Sequence, residues 1–189
     1  MIEFKYNHKK TIEAAALFLK LHGVPMEYMK LLKLLYMADR MTLDKMDESI
    51  TGDKYVSMKY GPVLSKVYDQ IIDGPHQENE ENNLWSKYIS SPSEYLVKLL
   101  EDPGVGELCE EEEEIIERVY ELYGKMDVFK LANLTHDLCP EWTDPNTKSL
   151  KSLPISIEEI LKHLNKTEED ISYIQENVAK DETLDALFK

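Results

Sequence analysis

Apolar positions recur at helical spacing in segment after segment of the chain, and most densely between Lys30 and Leu43. At 3.6 residues per turn, Leu31, Leu35, Ala38 and Thr42 form one stripe, Leu32, Tyr36 and Leu43 a second, and Leu34, Met37 and Met41 a third. A helix that is apolar nearly all round needs neighbours on most sides, so this stretch is expected to be the central rod of a domain. It is too short for a membrane span, and Lys30, Lys33, Asp39 and Arg40 interrupt it.

On the N-terminal side, Thr11 suits an N-cap for a helix carrying Ile12, Ala15, Ala16 and Leu19, which Gly23 and Pro25 stop. The rod is expected from about Met26 to Lys45, with turn residues after it. Alternation through Tyr55, Ser57 and Lys59 predicts a short strand, ended by Gly61-Pro62; Pro62 then suits the first turn of a helix bearing Val63, Val67 and Ile71. Residues 77–83 are polar and mostly acidic and read as a surface loop. Residues 84–89 and 95–100 flank a Ser-Pro turn and fit a hairpin, although a helix suits the second run almost as well. Five glutamates at 110–114 mark a helix start, Asp127 caps a helix ending near His136, and Ser156 and Thr167 open two short helices over 157–164 and 168–178. The chain is therefore expected to be mainly α: a single helical domain around a buried central helix, with a small antiparallel β element. The domain is expected over residues 1–180, with an acidic loop at 77–83, and residues 181–189 form a C-terminal tail that either docks or frays.

A chain of 189 residues can bury a core without disulfides or metals. Its net charge of -15 argues against direct nucleic-acid binding, which draws on Lys and Arg to neutralise phosphates. The acid surplus lies wholly beyond residue 75, where it is either a solvated face or a surface that steers a basic protein partner. Lys5, His8, Lys9 and Lys10 run straight into an amphipathic segment where a secretory leader would be apolar, so the expected location is cytoplasmic, with Cys109 and Cys139 as free thiols.

The sequence holds no glycine-rich phosphate loop, nucleophile elbow or zincin helix. His136 and Cys139 are spaced like half a metal site without a second half, and Cys139 has no base beside it. No catalytic residue, metal or cofactor is therefore expected.

Residues 31–39 (Leu-Leu-Lys-Leu-Leu-Tyr-Met-Ala-Asp), then Lys59-Tyr60-Gly61-Pro62-Val63 with Val67-Tyr68, then Leu134-Thr135-His136 followed by Pro140 and Trp142, resemble the SocA-like antitoxin, or Panacea domain, family. Two details depart from its pattern. Met58 stands where an aromatic residue often precedes Lys-Tyr-Gly-Pro, and Glu141 separates Pro140 from Trp142.

The resemblance implies a non-enzymatic bacterial or phage protein that neutralises a co-encoded protein toxin by direct contact, with a protease as a further partner in some relatives. Asp39, Lys59, Tyr60, Tyr68, His136 and Trp142 are the candidate partner-binding residues. Architectural readings stand beside the contact one: Asp39, with Arg40, pairing with other polar groups at the end of the central helix, Tyr60-Gly61-Pro62 as a tight turn, Thr135 and His136 as helix-end hydrogen bonders, Trp142 as a plug over the core or an exposed anchor. Two other functions stay open. One is a phage-derived adaptor or regulator binding host proteins. The other is a small-molecule enzyme using His136 with acidic residues as acid and base.

Overall fold

The computed structural model describes residues 1–74 and 80–187. Helix α1 (His8–His22) starts one turn earlier than the sequence suggests: Asn7, not Thr11, is its cap and accepts from the Lys10 N–H at 3.1 Å. Thr11 is buried, and its hydroxyl donates to the Asn7 carbonyl. Gly23, at φ 73°, ends the helix with its N–H on the Leu19 carbonyl. Strand β1 (Met26–Glu27) takes the two residues expected to open the rod, so helix α2 spans Tyr28–Lys45.

Helix α2 packs against α1, the strand β3 (Gly61–Leu64) and two later helices, α5 (Glu110–Val119) and α6 (Val128–Leu138). Enclosure on all these sides buries Leu31, Leu32, Leu34, Leu35, Tyr36 and Leu43, as the all-round apolar pattern requires. The same enclosure buries the charged Lys33 and Asp39.

Strand β2 (Tyr55–Met58) is flanked on one side by β3 and on the other by β5 (Leu153–Ile155), both antiparallel. The expectation that Pro62 opens a helix is corrected here. Pro62 pairs with Ser57 within β3, an edge strand, where a missing N–H is tolerated; helix α3 begins at Ser65 and runs to Ile72. Asp53 supplies the N-terminal acceptor for that helix, taking the N–H groups of Lys66 and Val67, each at 3.0 Å.

The acidic run at 77–83 falls partly outside the described residues; from Glu80 on it belongs to helix α4 (Glu80–Tyr88). The expected hairpin over 84–100 is replaced by that helix and by strand β4 (Leu96–Val97), which pairs with β1 rather than with residues 84–89. One isolated bridge, Ile89 to Leu99, keeps the two runs adjacent. Asp127 caps α6 as expected, accepting from Phe129 and Lys130. Helices α7 (Ile157–His163) and α8 (Glu168–Leu187) follow, and α8 continues through most of the expected tail. Cys109 and Cys139 are free thiols. Among the described residues no helix is long and apolar enough to cross a membrane.

Candidate protein-contact site

The β2–β3 pairing sets Met58 opposite Gly61 and leaves Lys59-Tyr60 as a two-residue turn. Gly61 sits at φ 101°, and a Cβ there would stand 2.7 Å from Thr135 Oγ1 and 2.9 Å from Lys33 Nζ. Only glycine permits both the backbone angle and that approach, so the turn seats directly on α6 and α2. Its outer side carries Lys59, whose ammonium lies 5.1 Å from the centre of the Tyr60 ring, and Tyr60, which is 48 % exposed.

Beneath the turn, Lys33 is fully buried and donates to the Pro62 carbonyl at 2.7 Å. None of the ion pairs among the described residues includes it. Burial lowers its pKa from 10.5 to about 7, against a small opposing effect of the Cys139 thiol.

The loop after α6 closes the site from the other side. His136 and Trp142 stack face to face, their centroids 3.8 Å apart and their planes 7° from parallel. Trp142 Nε1 donates to the Met58 carbonyl at 2.9 Å, and the Thr143 N–H donates to Ser57 Oγ at 3.1 Å, stitching the loop to β2. Between them and the rod lies Glu141, buried, accepting from Tyr36 Oη at 2.6 Å and from Arg40 Nε at 2.8 Å. His136 Nε2 is buried and, among the described residues, has no hydrogen-bond partner. Burial first, then the Lys33 charge, depress its pKa, while Asp137 and Asp144 push the other way; the imidazole is neutral at pH 7.

Of the six candidate residues, four come together here: Lys59, Tyr60, His136 and Trp142. Asp39 does not reach the surface. It is fully buried, accepts from the Thr51 N–H at 3.1 Å, from the Thr51 hydroxyl and from Tyr55 Oη at 3.0 Å, and so ties α2 to the chain leading into β2. Desolvation raises its pKa to about 6 against those hydrogen bonds. Tyr68 belongs to another neighbourhood: it is half-buried on α3 beside Tyr28, whose phenol pKa is raised by burial first and then electrostatically by Tyr68 and Tyr95. Sequence reasoning passed over Lys33 and Glu141. A lysine set between leucines in a helix apolar all round was the available sign for the first.

Thr135 takes the internal role foreseen for it, donating to the Ala132 carbonyl at 2.7 Å. An acid–base role for His136 finds little support, because Trp142 covers one ring face and Nε2 is enclosed. The more apolar of the larger surface grooves, about 600 Å³, lies elsewhere, between Ile2, Phe4, Tyr55 and Ile155. No group of three or more His, Cys, Asp or Glu among the described residues is placed to hold a metal ion.

Residues 31–143 match the family described as Antitoxin SocA-like, Panacea domain. The matched span opens in α2 and closes just after Trp142, so it contains the whole site. The chain matches no curated protein and no solved structure.

Proposed function

The chain belongs to the SocA-like antitoxin, Panacea domain family, and on that footing we propose that it neutralises a co-encoded protein toxin by direct contact, through the surface of Lys59, Tyr60, His136 and Trp142. The observation that carries this reading is an exposed aromatic turn held from behind by buried polar ties. Tyrosine and tryptophan are the residues on which binding energy concentrates, since each buries a large, stiff surface and keeps a polar end for a hydrogen bond. The Lys33–Pro62 and Trp142–Met58 bonds fix the turn before any partner arrives, which lowers the entropy lost on association. The action is steric or allosteric occlusion of the toxin, with no bond made or broken by this chain.

Co-expression with the toxin encoded beside it tests the proposal. Growth is restored and the two proteins elute together on size exclusion if it holds. Growth arrest that this chain leaves unrelieved overturns it.

A further inference from the structure

We infer that Tyr28 and Tyr95, side by side where β1 meets β4, form a contact surface for an arginine-bearing segment of a protein partner, the guanidinium lying over the two rings within reach of Glu94. This surface is independent of the reading of the Lys59-Tyr60 turn.

The backbone shows that Tyr95 is held out at a cost. Ser93 and Leu96 exchange both backbone hydrogen bonds at 2.9 Å across a tight turn. Its central residues, Glu94 at φ 51° and Tyr95 at φ 71°, both stand in the left-handed region, where turns of this kind favour Asn-Gly. A bulky side chain is strained there. Burial offsets little of that strain, because Tyr95 is 73 % exposed. What the turn achieves is presentation. The Tyr95 carbonyl takes the N–H of Tyr28, the first residue of the central helix, at 2.9 Å, and the two rings lie 6.2 Å apart with their planes tilted by 34°. Tyr68 on α3 adds a third phenol close enough to act on Tyr28, and the exposed Leu96 continues the surface along β4.

Charge selects the occupant. Glu94 is exposed and belongs to none of the ion pairs among the described residues. Glu27 stands opposite Leu96 in the β1–β4 pairing, 3.5 Å from Lys30, whose side chain is buried. On α3, Asp69 follows Tyr68 and feels the like charge of Asp73, with no ion pair to either among the described residues. Against these carboxylates stand the paired Lys30 and the exposed Lys98, two residues beyond Leu96, so acid outnumbers base around the rings. Aromatic faces are themselves negative, so ring and carboxylate both draw a cation and both repel an anion. Arginine suits the site better than lysine: its planar guanidinium lies flat on a ring while its N–H groups still reach a carboxylate.

Two synthetic peptides serve as probes on the isotope-labelled full chain, one alternating arginine and glycine, the other with citrulline in place of arginine, which keeps the shape and removes the charge. Binding as inferred means that the arginine peptide shifts the Tyr28 and Leu96 amides saturably and the citrulline peptide does not. It also means that affinity falls about fivefold or more in the double variant Glu94→Asn with Tyr95→Gly, and holds in Tyr95→Phe, which keeps the ring face. The double variant installs the residues this turn favours, so its urea midpoint should be equal to or above that of the wild type, which separates lost binding from lost folding. Equal shifts at the glutamates of α5 would mark attraction to net charge alone and overturn the inference. So would equal binding of the citrulline peptide, affinity unchanged in the double variant or lost in Tyr95→Phe, or a lowered midpoint, which would assign the Tyr95 ring to the fold.

Discussion

Lys33 donates to the Pro62 carbonyl at 2.7 Å, so the most deeply buried cation of the central helix is held by a backbone oxygen and, among the described residues, by no carboxylate. Because its folded pKa is about 7 against 10.5 in the unfolded chain, the unfolded state binds more protons between those values. Stability attributable to this group therefore rises with pH from 7 to about 10 and is flat below 7. Lys33→Met removes that slope. After the loss of one hydrogen bond it still stabilises the protein at pH 6 by about 1–3 kcal/mol, with the gain fading towards pH 10. Urea unfolding of both proteins across this range checks it; parallel stability curves would refute the assignment.

Glu141 is the anchor of the loop that bears Trp142, and its removal leaves Arg40 half-buried without its partner. Glu141→Ala is expected to cost about 3–5 kcal/mol, and Glu141→Gln less, since the amide oxygen still accepts from Tyr36. The Trp142 indole N–H resonance reports the loop directly: it moves towards its solvent position in the alanine variant before global unfolding.

Gly61→Ala forces an alanine to φ 101° and sets its Cβ against Thr135 and Lys33. The backbone strain alone amounts to about 1–3 kcal/mol, and the two contacts add to it. Alanine at Gly23, where φ is 73° but nothing among the described residues lies within 4 Å of the added Cβ, is the matched control, with strain and no clash. Denaturation midpoints should fall further for the first than for the second.

The parts of this fold that local pattern determines were legible in the sequence. The rod was found because its leucines cover every side, β2 because Tyr55, Ser57 and Lys59 alternate, and α6 because Asp127 is a strong cap. What failed depends on partners far along the chain. Strand β1 exists only because β4 pairs with it some seventy residues later, and residues 84–89, read as a hairpin strand from a short apolar run, lie instead in helix α4 and the residue after it.

The site divides in the same way. Lys59, Tyr60, His136 and Trp142, which the structure brings together, were legible as candidates because they stand in the quoted motifs. Asp39 offered two readings, a partner contact or pairing with polar groups near the end of its helix, and the second holds, although pattern alone could not name its partners Thr51 and Tyr55, 12 and 16 residues away in sequence. Lys33 hides for the same reason: its acceptor is 29 residues on.

The affinity of the co-encoded toxin for the wild type and for Tyr60→Ala, measured by calorimetry alongside the melting temperature of each, tests the central claim most directly. Tyr60 is half-exposed on a turn, so its truncation should leave stability within about 0.5 kcal/mol. The account predicts a loss of affinity of at least about tenfold with the melting temperature unchanged. Toxin binding of equal strength in both proteins would contradict it.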